Sequence, residues 1–327
     1  MDGSANTIDV LDDSRLSILT EQLREGELVP FLGAGASVFQ WANGIPCPPS
    51  GTMLAEKLAE RCRFPVRDDA QYLKRDLARV ASYFQHVFFD RMSLYRELRK
   101  EFEPEFPPNK LHTFLAQAAG QQNMLLITTN YDDMIERAFQ AAGRLYHLIV
   151  TVVDDPANAG AVLYCPPNEK QLKPVDPRKL DRELNPILCP GPDEDHALDD
   201  DVKASVIYKI HGSMVRARKA SDSYLITEED YIRFLGDLRI RSPVPDSVLA
   251  ALKRKRLLFL GYSLRDWNFR VLLQMLSEER NDIKDWAIAL NPDPVESAIW
   301  DKKGVEFRNQ DLNDFVVKLE TLFGTAD

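Results

Sequence analysis

Four apolar runs in this chain each end in a short glycine-containing or polar segment, and this pattern constrains the fold more than any other feature. The runs are Leu28–Leu32, Met124–Ile127, Val206–Ile210 and Leu257–Leu260. The segments that follow them are Gly33–Ser37, Thr128–Asp132, His211–Gly212 and Gly261–Ser263. Short apolar runs bounded by turn residues are typical of strands buried in a parallel sheet. Because ligands bind at the carboxyl ends of such strands, we predict that the four segments converge on one crevice.

The rest of the chain predicts an α/β fold, a Rossmann-like, doubly wound parallel sheet that forms a single nucleotide-binding domain over residues 1–327. Helical spacing without strand alternation over residues 67–106 predicts an all-helical insertion. Residues 156–204 are rich in proline and end in the acidic run Asp193–Asp201. We predict a loop there, and a mobile lid, an oligomer contact and a disordered surface loop all remain open.

Composition excludes several classes of function. The chain has 41 Lys and Arg against 51 Asp and Glu, a formal net charge of −10, so we expect no direct binding of nucleic acid. The four cysteines are widely spaced, which predicts no zinc site and no other bound metal. No apolar run approaches the roughly 20 residues of a membrane span, and no signal region begins the chain. We therefore expect a cytoplasmic protein without membrane contact.

The first segment has the residue types of a phosphate-binding loop. Gly33, Ala34, Gly35 and Ser37 follow a strand, and glycines there let the backbone approach a pyrophosphate and donate amide hydrogens to it. The third glycine of the dehydrogenase fingerprint is replaced by Val38, so the loop is not that fingerprint. A tight turn without a ligand remains the alternative.

The second and third segments supply polar and titratable groups. Asn130 can both donate hydrogen bonds to ribose hydroxyls and accept them. A helix N-cap, formed by Asp132 or Asp133, is the alternative interpretation of the second segment. His211 lies directly after a strand, and an imidazole can act as a base at neutral pH. A purely structural histidine is the alternative there.

In this order along the chain, the four segments resemble those of the sirtuin family, most closely the bacterial sirtuin-like branch that lacks zinc. The resemblance implies that NAD is the substrate, that His211 is catalytic, and that Asn130 and Asp132 lie beside the nicotinamide ribose. It places the pyrophosphate and its adjoining ribose at the first segment and the phosphate or adenosine side at the fourth. The implied cofactor-binding residues are Gly33, Ala34, Gly35, Ser37, Thr128, Gly261, Ser263 and, beside the adenosine ribose, Asn291.

Departures from the family pattern decide the predicted reaction. Deacylating sirtuins carry two Cys-x-x-Cys pairs and follow Gly-Ile-Pro with Asp-Phe-Arg, whereas here Gly44-Ile45-Pro46 is followed by Cys47-Pro48-Pro49. We therefore predict an NAD hydrolase in which water is the acceptor. A protein deacylase and a module that senses NAD or ADP-ribose without turnover are the alternatives. The resemblance further implies a homo-oligomer, a HerA-type ATPase as partner, and a role in antiphage defence.

Overall fold

The computed structural model describes residues 12–38, 45–88, 90–153, 160–189, 204–240, 243–264, 270–274, 280 and 283–324. Nine strands form one sheet in the order β11-β10-β9-β1-β2-β6-β3-β4-β5, and β7 pairs with β8 as a separate hairpin. The strands are β1 Leu28–Leu32, β2 Leu125–Thr128, β3 Tyr146–Thr151, β4 Val162–Cys165, β5 Lys173–Val175, β6 Ser205–Lys209, β7 Gly212–Ser213, β8 Ser223–Tyr224, β9 Arg256–Leu260, β10 Asp285–Ala289 and β11 Val305–Asn309.

Helices cover both faces of the sheet, as the doubly wound pattern predicts. They are α1 Asp13–Arg24, α2 Ala34–Val38, α3 Gly51–Arg61, α4 Leu77–Phe88, α5 Arg91–Phe102, α6 Lys110–Ala118, α7 Met134–Ala141, α8 Asp181–Leu188, α9 Glu228–Ile240, α10 Asp246–Arg254, α11 Pro294–Asp301 and α12 Leu312–Gly324. Successive residues of the central strand β1 belong to different cores, Phe31 to one face and Leu32 to the other. This confirms the Rossmann-like α/β fold.

The sheet is parallel over the strands that end in the four segments. β1 pairs with β9 on one side and with β2 on the other, so that Phe31 is aligned with both Phe259 and Ile127. β2 pairs in parallel with β6. The chain therefore adds β2 and β6 on one side of β1 and later returns to place β9 on the other side. Doubly wound folds bind ligands at the point where the strand order reverses in this way.

Residues 67–106 form a 3₁₀ helix, Asp68–Arg75, followed by α4 and α5. With α3 they enclose a third apolar cluster that includes Leu58, Phe84 and Leu98. Tyr131 and Tyr224 join this cluster from the main sheet side. The helical segment is therefore packed against the edge of the predicted crevice.

The prediction of a loop over residues 156–204 was wrong for its middle part. β4, β5 and α8 lie there, and β4 pairs antiparallel with β3 and with β5, which extends the sheet. All four residues of β4 are buried. The acidic run Asp193–Asp201 lies outside the described residues.

Other differences are smaller. β3 and β11 were not predicted, and β2 and β6 are each displaced by one residue from the apolar runs. The sequence also predicts a helix over Trp267–Glu279, and of these residues the structure describes 270–274, which are helical. Among the helices that the structure describes, none is long and apolar enough to cross a membrane.

Candidate functional site

The four segments meet in one cleft because the strands before them, β9, β1, β2 and β6, are neighbours in the sheet. The cleft has a volume of about 330 Å³, near the lower end of the range for small-molecule sites. The predicted site residues that line it are Ala34, Gly35, Ser37, Asn130, Asp132, His211, Gly261 and Ser263. Gly33, Thr128 and Asn291 are not among its lining residues.

The first and fourth segments are packed backbone to backbone. Gly33 and Gly35 donate their amide hydrogens to the carbonyls of Leu260 and Gly261, at 3.0 and 2.9 Å. A Cβ on Gly35 would lie 2.7 Å from the Gly261 oxygen, and one on Gly261 would lie 2.2 Å from the Ala36 nitrogen. The glycines are thus required by the contact between two loops. The amide of Ala36 donates to the Gly33 carbonyl, so among these residues the Ala34 amide is the one left to face a ligand.

Asn130 joins the second segment to the first. Its Nδ2 donates both hydrogens, to the Gly33 carbonyl and to Ser37 Oγ, each at 2.9 Å. Its backbone amide donates to Thr128 Oγ1 at 3.0 Å, and Thr128 Oγ1 in turn donates to the Leu32 carbonyl. Because both amide hydrogens are used, Asn130 Oδ1 is the atom that can accept a hydrogen bond from a ligand or water. Thr128 acts behind the cleft, as a link between β2 and β1.

Asp132 is held by a buried ion pair that the sequence analysis did not find. Its carboxylate accepts the Met134 amide at 3.1 Å, at the start of α7. Its backbone carbonyl accepts a hydrogen bond from Lys209 Nζ, which also lies 2.8 Å from Glu136 Oε1. The Lys209 side chain is fully buried, and burial raises the pKa of Glu136. Glu136 lies four residues, about one helical turn, after Asp132, and this spacing could have indicated that both residues contact the same side chain, here that of Lys209.

His211 is 6 % exposed and lies at the mouth of the β7–β8 hairpin. Its carbonyl accepts the Leu225 amide at 2.8 Å, and its ring meets the edge of Tyr231 at 5.9 Å. Gly212 has a φ of +86°, and a Cβ there would lie 2.1 Å from the Ser223 carbonyl oxygen. The glycine after His211 is therefore required by the hairpin, which fixes the position of the histidine backbone.

A second histidine lies close behind the cleft. His112 of α6 is 1 % exposed, and its Nδ1 lies 2.7 Å from Asn109 Oδ1. Asn109 Nδ2 donates to the Ala36 carbonyl at 2.7 Å, so this pair ties α6 to the glycine loop. Burial lowers the pKa of His112 to about 4, which keeps it neutral at physiological pH.

Further residues that line the cleft come from outside the four segments. They are Pro48, Pro49, Ser50, Gly51, Thr52, Leu54, Leu77, Phe102 and Tyr231. Ser50 caps α3 by accepting the Met53 amide at 3.2 Å. The sequence signal that could have assigned these residues to the cleft is the pair Pro48-Pro49 directly before the capped start of α3.

Asn291 has a φ of +48°, and its amide donates to Asn309 Oδ1 at 2.9 Å. Among the described residues no group of His, Cys, Asp or Glu could hold a metal ion.

Comparison with known proteins gives a family model, a curated relative and similar solved structures. The family model described as a SIR2-like domain matches residues 124–308, which confirms the sirtuin-like resemblance. "Defense-associated sirtuin 2" of Bacillus subtilis is 22% identical over 281 residues, 85% of this chain and 22% of that protein. The chain thus spans about a fifth of the length of this curated relative.

Two solved Sir2 structures are similar over nearly their whole length. One, described as "Structural Basis for the Mechanism and Regulation of Sir2 Enzymes", has a TM-score of 0.44 and 15% identity, and the match covers 96% of this chain and 98% of that chain. A second, a Sir2 mutant with a p53 peptide and NAD, has a TM-score of 0.41 and 16% identity, with 95% and 99% covered.

Proposed function

This chain belongs to the SIR2-like domain family, and on that premise we propose that it hydrolyses NAD to nicotinamide and ADP-ribose. The observation that carries the proposal is the meeting of Asn130, Asp132 and His211 in one cleft beside the glycine loop. An acceptor amide oxygen, a carboxylate and an imidazole are the groups needed to position a ribose and remove a proton from its attacker.

In the proposed reaction a water oxygen bonds to C1′ of the nicotinamide ribose. The bond from C1′ to the nicotinamide nitrogen breaks, and its electron pair stays on the leaving nicotinamide. His211 takes the proton that the water loses, and Asn130 Oδ1 accepts the second hydrogen of the water or a ribose hydroxyl. The C1′ centre passes through an oxocarbenium-like state, as in glycoside cleavage. Asp132 orients the ribose or the carboxamide from the start of α7.

Water is the proposed acceptor because the features that deacylating sirtuins use are missing from the sequence. Residues Cys47–Pro49 stand where those enzymes carry Asp-Phe-Arg, and the four cysteines form no Cys-x-x-Cys pair. Pro48 and Pro49 line the cleft wall, where their rings offer no charge and no amide hydrogen to an acyl peptide.

We further propose that the hydrolysis serves antiphage defence. The support is the name of the Bacillus subtilis relative, "Defense-associated sirtuin 2", of which this chain matches about a fifth. Unrestrained loss of NAD would harm the host cell, so the activity needs control. A homo-oligomer and a partner ATPase of the HerA type are the proposed means of that control.

Nicotinamide release from NAD by the purified chain, followed by chromatography, tests the reaction. General-base assistance is worth about 10²–10⁴-fold, so H211Q should lose at least about 100-fold in turnover. The matched control is H86Q, since His86 is an exposed histidine of α4. An H211Q variant that binds NAD normally and keeps more than a third of the activity contradicts the role of His211. NAD binding by the wild-type chain without release, also after addition of a HerA-type ATPase, contradicts hydrolysis itself.

A further inference from the structure

A second cavity, of about 450 Å³, lies beside the helical segment and away from the NAD cleft. Its walls come from α5, from Val152 just after β3, from β4, from β5 and the residue before it, and from residues 218–223 at the start of β8. They include Tyr95, Val152, Leu163, Leu172, Pro174 and Ser223. Its volume falls within the range that small-molecule sites occupy, and most of its wall is apolar.

Two cations stand at the rim of this cavity. Arg218 and Lys219 line it, are exposed, and make no ion pair with any residue that the structure describes. Asp222 also lines the cavity, but it does not neutralise Arg218 and Lys219, because both of its carboxylate oxygens accept hydrogen bonds from Arg99 Nη1 at 2.9 Å. Arg91, also in the wall, is paired with Asp230 at 2.8 Å. The cavity therefore combines an apolar interior with positive charge at its opening, on a protein of net charge −10.

The floor of the cavity is joined directly to the catalytic histidine. Ser223 lines the cavity and is paired with Ser213 across the β7–β8 hairpin. Its Oγ accepts the Val153 amide at 3.0 Å, so its own hydroxyl hydrogen can still be donated. Its carbonyl lies against Gly212, where no side chain fits. A ligand that displaces Ser223 must therefore displace the residue next to His211.

A row of aromatic rings forms a second connection between the two cavities. Tyr95, in the wall of the second cavity, meets Tyr224 edge-on with ring centres 4.9 Å apart. Tyr224 meets Tyr131 in the same way at 5.1 Å, and Tyr131 meets Phe102 at 5.5 Å. Tyr131 and Phe102 line the NAD cleft. Closely packed rings transmit displacement, because a core of native density has little free volume.

We propose that this cavity binds a small organic anion, a carboxylate, phosphate or sulfonate with an apolar body. The anionic group pairs with Arg218 and Lys219, the body lies against Tyr95, Leu163 and Pro174, and Ser223 donates its hydroxyl hydrogen. Occupancy shifts the β7–β8 hairpin and with it His211, so the ligand regulates the NAD cleft. The regulatory part rests on the proposed hydrolysis, whereas the binding site does not.

Binding is tested with 8-anilinonaphthalene-1-sulfonate, a fluorescent molecule of the proposed class, titrated into the full chain. R218E/K219E reverses the two rim charges, and it should fold normally because neither side chain has a described partner. The matched control, R254E/K302E, makes the same charge change near the amino ends of the strands, on exposed residues. Because both exposed charges that attract the anion are reversed, R218E/K219E should bind the probe about tenfold more weakly, whereas the control should bind it as the wild type does. Absent binding, or equal binding by all three proteins, overturns the site.

Coupling to His211 is read without reference to turnover. The ring signals of the five histidines are followed by NMR, with His211 assigned through its loss in H211Q. The His211 signal should shift with the same midpoint as the probe fluorescence in the wild type, and this midpoint should rise about tenfold in R218E/K219E. Probe binding that leaves the His211 signal unmoved overturns the coupling. Nicotinamide release measured without the probe reports on the proposed hydrolysis alone, so the two failures are distinguishable.

Discussion

Replacing Lys209 with methionine tests how much the buried ion pair between Lys209 and Glu136 contributes to stability. The Lys209 side chain is fully buried, and that of Glu136 is 8 % exposed. Methionine has a similar length and keeps the apolar packing, but it removes the cation and the donor to the Asp132 carbonyl. The variant thus leaves a carboxylate without its counter-ion behind the cleft.

The expected cost follows from that burial. Removing one partner of a buried ion pair destabilises a protein by about 3–5 kcal/mol, whereas apolar replacement of both partners is often neutral. We therefore expect K209M to lower the free energy of unfolding by about 3–5 kcal/mol at pH 7. We expect K209M/E136L to recover most of this loss.

The loss should also depend on pH. Burial already raises the pKa of Glu136 above that of the unfolded chain, and removal of Lys209 raises it further. A raised carboxyl pKa costs stability as pH rises from the unfolded pKa through the folded one. The difference between K209M and wild type should therefore be small near pH 4 and grow towards neutral pH.

Urea unfolding of wild type, K209M, E136L and the double variant at several pH values measures these differences. The double-mutant cycle isolates the interaction between the two side chains. A K209M variant that loses less than 1 kcal/mol at pH 7, or a double variant as unstable as K209M, would refute the reasoning. The rate of nicotinamide release by the double variant then measures how far loss of the hydrogen bond from Lys209 to the Asp132 carbonyl lowers turnover.

Three further outcomes are expected. G261A should lose about 3 kcal/mol of stability in thermal unfolding, and with it the proposed NAD activity. The control G143A has a similar φ of +64° but open space around it, so it should lose only about 1 kcal/mol. Equal losses by the two variants would contradict the backbone contact. N130D should lower turnover at least about 100-fold, because a carboxylate faces the Gly33 carbonyl, and a turnover near wild type would exclude that arrangement. The contribution of His112 to stability should fall by about 3 kcal/mol as pH drops from 6.5 to 4, because burial lowers its pKa to about 4, so in urea titrations the wild type should lose about that much more than H112Q.

The sequence predicted the central strands because their boundaries are local. An apolar run and the polar segment after it are visible within ten residues, so the carboxyl ends of β1, β2, β6 and β9 were found to within one residue. β4 and β5 were missed because prolines surround them, and proline marks both loops and edge strands. Their place in the sheet depends on pairing with β3, which was not predicted either.

The sequence predicted that the four segments converge, but it did not predict the contacts between them. Gly33 and Gly35 were interpreted as letting the backbone approach a pyrophosphate, and the structure also packs them against Gly261 in a contact between two loops. That contact joins residues far apart in the chain. The Lys209–Glu136 pair is equally non-local, and each residue alone has an ordinary solvent-facing interpretation. Only the sheet order shows that they meet.

The contact between the glycine loop and Gly261 has a consequence for biosynthesis. Gly261 leaves the ribosome more than 200 residues after the loop, which at about 5–20 residues per second is a delay of roughly 10–45 s. Late in that interval the nascent chain contains Asn130 and His211, but β1 still lacks its neighbour β9. The wall of the cleft closes only when β9 docks. Under the proposed function, a chain whose β9 is not yet synthesised lacks the complete cleft and should not hydrolyse NAD.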